Sequence, residues 1–295
     1  MQKLSFQNIT TDFITDPLFI EKNIEVAVLR LDKIHPVISG NKWFKLQFYI
    51  EEAKKLQKKT IVTFGGAWSN HIIATAAACK QNILNSIGII RGEELAELSN
   101  TLRYAKQLGM QLNFVSRDDY RNKRIPDSLS KEDFYFINEG GYGSKGAEGA
   151  ATILNYCKKN NFTHFCCTVG TGTMIAGLIG ASSNDQQVIG ISVMKNNLEL
   201  EEKIKALVHD KANFQLFHDY HFGGYAKYNN KLIRYMNEFY LRNQIPSDFV
   251  YTGKLFFAIH DLIHKDSFPP ESKILIIHSG GLQGNASLPK GTLIF

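Results

Sequence analysis

One lysine near the start of the chain follows directly on a Gly-Asn pair. The run S-G-N-K-W-F-K-L over residues 39–46 places Lys42 beside a turn and at the mouth of an amphipathic helix. A lysine that is partly desolvated and close to fixed N–H dipoles has a lowered pKa, and its neutral amine can form an imine with an aldehyde. An isolated G-N-K is most often a solvated helix start. The catalytic interpretation of Lys42 therefore depends on the motifs that accompany it.

A second polar run, G-A-W-S-N-H over residues 66–71, lies where an apolar strand passes into a helix. The free N–H groups and the positive end of the helix dipole at such a junction favour an anion or a carboxylate. Ser69 and Asn70 suit that role, although taken on their own they are more often a helix N-cap. His71, taken alone, is more often a structural histidine than a catalyst.

A third run, T-V-G-T-G-T-M-I-A-G over residues 168–177, is a strand-to-helix loop rich in glycine and threonine. Glycines allow the backbone to wrap an oxyanion, and the hydroxyls of Thr171 and Thr173 add donors. A P-loop needs a following G-K-[ST], and a dinucleotide fingerprint needs another glycine spacing and a ribose-binding acid. The run therefore favours a monophosphate cradle, with a plain tight turn as the alternative.

Three more polar runs follow apolar elements nearer the C-terminus, and each is a weak signal by itself. Thr252 in V-Y-T-G-K can be an active-site group or the cap of a helix. Ser279 in H-S-G-G can contact a ligand or simply end a strand. Tyr225 in G-G-Y can be an active-site phenol or part of a turn.

Composition is that of an ordinary globular protein of 295 residues, with 44% hydrophobic and 21% charged residues. The formal net charge of +6 comes from scattered Lys and Arg without a basic stripe, which argues against nucleic-acid binding. No apolar stretch approaches the roughly 18 residues of a membrane span, and no secretory h-region is visible. The cysteines form no C-x-x-C pair and indicate reduced thiols in a cytoplasmic protein, without a metal site: Cys79, Cys157, Cys166 and Cys167.

Short apolar runs alternate with segments of helical period, which is the pattern of βαβ units and parallel sheets. The polar stretch over 117–133 predicts an exposed loop. The alternation predicts an α/β fold with parallel sheets in two lobes. The predicted strands cover 60–64, 86–90, 111–116, 134–138, 163–169, 188–194 and 273–278, and the predicted helices cover 42–57, 69–80, 95–108, 145–159, 173–182, 228–243 and 253–264.

Five motifs occur in one order along nearly the whole chain, and together they are far more specific than any one of them. They are G-N-K-x-x-K-L at 40–46, G-G-x-x-S-N-H at 65–71, T-G-T-x-x-A-G-L at 171–178, V-Y-T-G-K at 250–254 and H-S-G-G at 278–281. In this order the chain resembles the pyridoxal-phosphate-dependent 1-aminocyclopropane-1-carboxylate deaminase and D-cysteine desulfhydrase family.

The resemblance implies an α/β, two-lobed, open parallel-sheet architecture of the tryptophan-synthase-β type, which is fold type II of the pyridoxal-phosphate enzymes. Residues 1–44 plus 146–295 would form the larger, cofactor-binding domain, and residues 45–145 the smaller α/β domain. Pyridoxal 5'-phosphate would lie between the two lobes. A homodimer in the cytoplasm that acts on a small amino acid, with no nucleic-acid or membrane partner, is the expected form.

The resemblance also implies a role for each matching residue. Lys42 would carry the cofactor as an imine, and Lys45, one helical turn further on, would contact its phosphate. The other cofactor contacts would be Asn70, Gly170, Thr171, Gly172, Thr173 and Thr252, the substrate contacts Ser69, His71 and Ser279, and the catalytic groups Lys42, Ser69, Tyr225 and Tyr251.

Two positions discriminate within the family. The cyclopropane-opening deaminases have a glutamate after the second tyrosine and favour leucine after the histidine, whereas this chain has Thr252 and Ser279. A hydroxyl at the pyridine nitrogen makes a weaker electron sink than a carboxylate, and a weaker sink still supports β-elimination. The chain also departs from the family at Ser39 and at Trp43-Phe44, where members usually carry glycine and then a small residue and arginine.

The leading hypothesis is therefore a pyridoxal-phosphate lyase that eliminates the β-substituent of a small, D-cysteine-like amino acid and gives pyruvate and ammonia. A 1-aminocyclopropane-1-carboxylate deaminase that gives 2-oxobutyrate and ammonia is the alternative within the family. A protein that binds the cofactor without turnover, and a nicotinamide-dependent dehydrogenase using the loop over 168–177, are alternatives from other classes.

Overall fold

Apolar runs rich in isoleucine, valine and phenylalanine form the strands of the protein, and the amphipathic segments between them form the helices. The computed structural model describes residues 4–38, 40–94, 96–129, 133–208 and 213–295. The strands are β1 Thr11–Ile14, β2 Glu25–Arg30, β3 Thr60–Gly65, β4 Asn85–Arg91, β5 Met110–Val115, β6 Phe134–Ile137, β7 His164–Val169, β8 Gln187–Ser192, β9 Phe214–Phe217 and β10 Lys273–His278. The α-helices are α1 Pro17–Glu21, α2 Asn41–Lys55, α3 Asn70–Gln81, α4 Asn100–Gln107, α5 Arg117–Arg121, α6 Ser144–Ala151, α7 Thr173–Ala181, α8 Leu200–Lys205, α9 Asn230–Asn243 and α10 Thr252–His264.

The strands form two sheets. One has six strands in the order β1-β2-β10-β7-β8-β9, and the other has four in the order β5-β4-β3-β6. The pairing of β1 with β2 is antiparallel, and the pairings that join the other strands are parallel. The prediction of an α/β fold with parallel sheets is confirmed. Because parallel strands end at the same edge of a sheet, the loops after β7 and β10 are positioned to meet. The segment after β3 reaches them from the other sheet, where Asn70 accepts a hydrogen bond from Gln283.

The two sheets draw on different parts of the chain. The four-stranded sheet is built from strands between Thr60 and Ile137, and the six-stranded sheet uses strands on both sides of that segment. This division supports the predicted lobes, 1–44 plus 146–295 and 45–145. The two sheets show only that each domain boundary lies somewhere between two strands. The exact boundaries, at residues 44/45 and 145/146, are therefore our proposal.

Several elements differ from the sequence prediction. The short strands β1, β2 and β9 and the short helices α1, α5 and α8 were not predicted, and α5 lies within the stretch expected to be an exposed loop. The helix predicted over 95–108 begins only at Asn100, because Ser99 caps it by accepting the Leu102 N–H at 3.1 Å. Two parts of these predictions, Leu95 and residues 130–132, lie outside the described residues.

The helix predicted over 145–159 ends at Ala151. The hydroxyl of Thr152 donates to the Gly149 carbonyl oxygen at 2.7 Å, and the chain continues as a 3₁₀ turn over Thr152–Tyr156. A hydroxyl that competes for helix carbonyls in this way favours the end of an α-helix.

Both faces of the six-stranded sheet are covered by apolar side chains. In β7, Phe165 and Cys167 face a cluster that includes Ile175 of α7, whereas Cys166 faces a cluster with Leu255 of α10. The four cysteines are unpaired, and burial raises the pKa of the Cys167 thiol to about 12. No helix in the described ranges is long and apolar enough to cross a membrane.

Helix α6 packs in backbone contact with its neighbours because its glycines leave no side chain in the way. A Cβ on Gly149 would lie 1.9 Å from the Phe44 carbonyl oxygen of α2. A Cβ on Gly177 of α7 would lie 2.4 Å from the Ala147 carbonyl oxygen of α6. The three helices α2, α6 and α7 are therefore held at a separation that only glycine permits.

We predict that Gly149→Ala lowers the free energy of unfolding by about 1–3 kcal/mol, since the added methyl group must push α2 away from α6. Gly180→Ala is the matched control: Gly180 lies in α7, and a Cβ there meets nothing within 4 Å. That control should raise stability by up to about 1 kcal/mol through lower chain entropy. Urea unfolding followed by circular dichroism measures both, and equal stability of the two variants would contradict the close packing of α6.

Candidate active site

The first turn of α2 is pressed against the end of β10. Gly40 has φ +65°, and a Cβ on it would lie 1.7 Å from the Ser279 carbonyl oxygen. The next residue, Asn41, donates its backbone N–H to that oxygen at 3.2 Å. Only glycine fits at position 40. Its contact with Ser279 fixes the position of the first turn of α2, which carries Lys42. Ser39, one of the departures noted in the sequence, lies outside the described residues.

Lys42 is half-buried in this first turn. Its Nζ donates to the Asn41 Oδ1 at 2.8 Å and lies 5.9 Å from the centre of the Tyr251 ring. Burial lowers the pKa of Lys42 to about 8, although the negative charge of Asp248 acts in the opposite direction. A lysine with this pKa supplies far more neutral amine near pH 7 than an ordinary lysine does.

Lys45 is buried, with 5% of its surface exposed, and its ammonium has no hydrogen bond or ion pair within the described ranges. Burial and the positive charge of Lys42 hold the pKa of Lys45 well below its usual value. Without a partner, burial favours the neutral amine, whereas an anion beside Lys45 would favour the ammonium. Lys45 is therefore suited to an anion that binds next to it.

The loop between β7 and α7 offers further hydrogen-bond donors to an anion. Gly172 has φ +85°, and no side chain of the described residues caps the N-terminus of α7. The hydroxyls of Thr171 and Thr173 lie 3.0 Å apart at this end. Uncapped N–H groups, two hydroxyls and the helix dipole form an anion site.

Two consecutive glycines, Gly140 and Gly141, pack between the β7–α7 loop and Lys45. A Cβ on Gly140 would lie 2.7 Å from the Thr171 Cγ2, and a Cβ on Gly141 would lie 3.2 Å from the Lys45 Cβ. Gly170, at the start of the loop, lies against Tyr251, with 3.7 Å between its would-be Cβ and the ring Cε1. The residues present therefore fit the predicted cofactor, because the loop and Lys45 suit a phosphate and Lys42 suits an aldehyde.

Ser69 is the N-cap of α3. Its Oγ accepts the backbone N–H groups of His71 at 3.2 Å and Ile72 at 3.3 Å. The cap suggested as the simpler interpretation of Ser69 is therefore present. The hydroxyl proton has no acceptor within the described part of the chain, so it stays available to a carboxylate. The predicted substrate contact of Ser69 stays a prediction.

Asn70 connects α3 to the loop after β10. Its Oδ1 accepts from the Gln283 Nε2 at 2.8 Å, and its Nδ2 lies 2.6 Å from where a Cβ on Gly281 would be. The S-N-H and H-S-G-G motifs therefore meet in space. The predicted cofactor contact of Asn70 is not tested by this arrangement and stays a prediction.

His71 is buried as a neutral ring, with 2% of its surface exposed. Its Nε2 lies 2.9 Å from the Thr63 Oγ1, whose own proton is donated to the Ile137 carbonyl oxygen. The ring must therefore donate from Nε2, which leaves Nδ1 as an acceptor without a partner in the described ranges. Burial and the positive charges of Lys42 and Lys45 lower the pKa of His71 to about 3. Its predicted contact with the substrate stays a prediction.

Tyr251 lies beside Lys42, and Tyr225 lies beside Tyr251. The Tyr251 hydroxyl donates to the Tyr225 hydroxyl at 3.4 Å, and the ring centres are 6.1 Å apart. Burial raises the pKa of Tyr251 well above its usual value, so this phenol stays protonated. The structure thus brings the two predicted phenols together, although their catalytic roles stay predictions.

Thr252, the first residue of α10, is wholly buried and engaged by a carboxylate that the sequence reasoning missed. Its hydroxyl donates to the Asp248 Oδ1 at 2.7 Å and accepts the Asp248 N–H at 2.8 Å. The other carboxylate oxygen, Oδ2, accepts the N–H groups of Val250 at 3.0 Å and Tyr251 at 2.8 Å. The signal for Asp248 was an acidic residue just before a helix start, in S-D-F-V-Y-T.

This pairing limits what Thr252 can do. Because its single proton goes to Asp248, its oxygen can offer a ring nitrogen only a lone pair. Burial raises the pKa of Asp248, against the lowering effect of the hydrogen bonds from Thr252 and Tyr251. The predicted contact between Thr252 and the pyridine nitrogen stays a prediction. If the contact forms, Asp248 acts on it through its hydrogen bond with the Thr252 hydroxyl.

Ser279 follows the last strand and is buried. Its Oγ lies 3.4 Å from the Thr168 Oγ1. The preceding residue, His278, is wholly buried and donates from Nε2 to the Pro246 carbonyl oxygen at 2.7 Å. The backbone of Ser279 is therefore fixed beside Asn41, whereas the predicted substrate contact of its hydroxyl stays a prediction.

Comparisons with known proteins agree with this geometry. The family described as "Pyridoxal-phosphate dependent enzyme" matches residues 15–280. An Arabidopsis thaliana protein named bifunctional D-cysteine desulfhydrase/1-aminocyclopropane-1-carboxylate deaminase is 29% identical, over 88% of this chain and 73% of its own. A D-cysteine desulfhydrase of Salmonella typhi is 25% identical over 87% of each chain. The crystal structure of an ACC deaminase homologue superposes with a TM-score of 0.83 at 26% identity, over 94% of this chain and 90% of the other.

We predict that Lys42 is modified by formaldehyde and a mild reductant with a pH midpoint near 8 in the cofactor-free protein. Since its pKa is about 8, its reaction should level off above that pH. At pH 7 Lys42 should hold roughly 200-fold more neutral amine than a lysine with the ordinary pKa near 10.4. Mass spectrometry of the Lys42 peptide, beside free N-acetyl-lysine as the control, measures the profile. A midpoint near 10 for Lys42 would show that the cleft does not desolvate it.

We predict opposite effects of Lys45→Met on stability and on cofactor binding. Removing a buried amino group whose charged form is penalised by folding should raise the free energy of unfolding of the cofactor-free protein by about 1–2 kcal/mol. The same change should weaken pyridoxal phosphate binding by roughly tenfold or more, because one charge-assisted bond to phosphate is lost. Thermal unfolding and absorbance titration measure the two effects. The exposed Lys106→Met is the control, and unchanged affinity in Lys45→Met would move the phosphate away from Lys45.

Proposed function

The chain belongs to the pyridoxal-phosphate dependent enzymes, and from that premise we propose that it catalyses α,β-elimination on a small, D-cysteine-like amino acid. The observation that carries the proposal is the arrangement of Lys42, with its pKa lowered to about 8, beside the Tyr251–Tyr225 pair and the uncapped end of α7. Family membership argues against the two other classes raised by the sequence, a non-enzymatic carrier and a nicotinamide-dependent dehydrogenase.

The cofactor supplies an electron sink at the α-carbon of the bound amino acid. Lys42 supplies a base, because its neutral amine accepts a proton near pH 7. Ser69 supplies a donor to the substrate carboxylate: its Oγ already accepts two N–H groups, so only its own proton remains to be donated. Lys45 and the loop over Gly170–Thr173 supply the anchor for the phosphate.

The leaving thiolate needs a proton, and the tyrosine pair indicates which group gives it. Tyr251 donates to Tyr225, so the proton of Tyr225 is the one that remains free. Tyr225 is 45% exposed and lies at the rim of the site. The overall reaction is D-cysteine plus water to pyruvate, ammonia and hydrogen sulfide, which balances in atoms and charge.

One observation favours a second candidate, the 1-aminocyclopropane-1-carboxylate deaminase. The hydroxyl of Thr252 is backed by the buried carboxylate of Asp248 at 2.7 Å. A carboxylate behind the hydroxyl makes its oxygen a better acceptor and so favours a protonated ring nitrogen, which strengthens the electron sink. The Arabidopsis relative carries both activities in its name. We nevertheless place elimination first, because Thr252 and Ser279 are hydroxyls where the deaminases carry glutamate and leucine.

The small amino acid as substrate is part of this proposal, as are a cytoplasmic location and a homodimer. The reduced state of the thiols supports the cytoplasmic location, since the four cysteines are unpaired and three of them are buried. The homodimer rests on the family resemblance.

We predict that the unaltered protein releases pyruvate from D-cysteine or β-chloro-D-alanine and little 2-oxobutyrate from the cyclopropane amino acid. Thr252→Glu with Ser279→Leu should lower the ratio of elimination to ring opening by roughly tenfold or more, because a glutamate favours the protonated ring. Assays of both oxo acids measure the ratio.

The controls follow from the structure. The new glutamate would face the Asp248 carboxylate, so Asp248→Asn is added in a companion variant to remove the repulsion. The exposed Ser287→Leu should leave the ratio unchanged. If the unaltered protein releases 2-oxobutyrate and no pyruvate, the deaminase is the correct function and elimination is wrong.

A further inference from the structure

A lysine that the reaction does not use is wholly buried in the first turn of α10. The side chain of Lys254 has 0% of its surface exposed. Its Nζ donates to the carbonyl oxygens of His221 at 2.8 Å and Gly224 at 2.9 Å. A buried ammonium is tolerated only where acceptors replace water, and here both acceptors belong to one loop.

That loop has an unfavourable backbone conformation. Four of its residues have positive φ: Phe222 at 52°, Gly223 at 96°, Gly224 at 126° and Ala226 at 53°. Glycine adopts such angles freely, but Phe222 and Ala226 do not. The conformation therefore needs support from outside the loop.

Helix α10 gives that support at two points on one face. Lys254 binds the two carbonyl groups, and Phe257, three residues later, packs edge-on against Phe222 with ring centres 5.0 Å apart. Residues three apart in a helix lie side by side. The loop is thus held by one polar and one apolar contact from the same helix.

The next residue after the held segment is Tyr225. Within the described part of the chain, its side chain has one hydrogen bond, the 3.4 Å contact with Tyr251. A contact of that length orients a phenol weakly. The position of the Tyr225 hydroxyl is therefore set by the backbone of the loop, and so by the contacts from α10.

We propose that Lys254 is a positioning residue, which clamps the loop over 221–224 and so places the Tyr225 phenol in the active site. The inference rests on the proposed function for the role of Tyr225, but the clamp itself does not. Charge makes the two bonds stronger than neutral ones. Burial lowers the pKa of Lys254 to about 8, although the negative charge of Asp248 raises it in part. The amino group is therefore still mostly an ammonium near pH 7.

Limited proteolysis of the cofactor-loaded protein tests the clamp without measuring activity. Lys227 is exposed in the same loop and is a trypsin site. Lys254→Met should speed cleavage after Lys227 by at least tenfold, since two charge-assisted bonds are lost and cleavage follows the population of the open loop. Fragments ending at Lys227 are followed by mass spectrometry.

Two controls separate the clamp from other effects. Lys231→Met removes an exposed lysine that lies near the loop, over Phe257, and should leave cleavage unchanged. Ile263→Ala, a buried change in the last turns of α10, should lower thermal stability without opening the loop. If Lys254→Met yields no folded protein, Lys254→Gln, which keeps two N–H donors without the charge, should give an intermediate rate. Cleavage at the wild-type rate in the folded variant would overturn the clamp.

A double-mutant cycle tests whether the clamp acts through Tyr225. If it does, Lys254→Met should lower kcat more than it changes KM, and combining it with Tyr225→Phe should add less than twofold to the loss from Tyr225→Phe alone. Losses that multiply would show that Lys254 does not act through Tyr225. If the protein turns over neither amino acid, the proposed function fails, and the proteolysis still decides whether the clamp exists.

Discussion

The backbone of Gly40 touches the backbone of Ser279, and the position of Lys42 depends on this contact. No side chain fits between the two, because a Cβ on Gly40 would lie 1.7 Å from the Ser279 carbonyl oxygen. Behind the contact, β2 and β10 are paired in register, with Arg30 opposite His278. Arg30 binds Asp32 through two hydrogen bonds of 2.9 and 2.7 Å, close to the buried ring of His278. A charged network thus fixes the strand ends on which α2 starts.

The buried lysines around the site differ in how their amino groups are satisfied. Lys45 and Lys254 are buried, Lys42 is half-buried, and Asp248 is the buried carboxylate that acts on Lys42 and Lys254. Lys254 donates to loop carbonyl groups. Lys45 has no hydrogen bond or ion pair in the described ranges, and burial holds its pKa well below the usual value. An anion beside Lys45, near the uncapped end of α7, would favour its charged form.

Much of the fold follows from local signals. Most of the longer strands and helices were predicted within a few residues, since apolar runs and helical period are properties of short windows. The strands β1 (T-D-F-I) and β9 (F-Q-L-F) were missed because polar residues interrupt their apolar ones, whereas β6 (F-Y-F-I), of the same length, was predicted. The candidate site could be located from motifs that follow predicted strands, because the carboxyl ends of parallel strands lie at one edge of a sheet.

What local sequence could not supply were interactions between distant segments. Gly40 looked like part of a turn, but its need for glycine comes from Ser279, far along the chain. Lys254 stood in a recognised motif, yet its acceptors lie in the loop at His221 and Gly224. Asp248 appeared to be one more acid before a helix, and only its burial against Thr252 gives it a part in the site.

The glycine contacts of α6 also bear on how α2, α6 and α7 respond to a displacement. The Phe44 carbonyl of α2 and the Ala147 carbonyl of α6 each face a glycine of the neighbouring helix, with no side chain between them that could change its rotamer. A close-packed contact of this kind transmits strain, so a shift of one helix must displace the other two. Lys42 lies in the first turn of α2, and the loop over 170–172 leads into α7. The two therefore move together, and the distance between them is set by backbone contacts with α6.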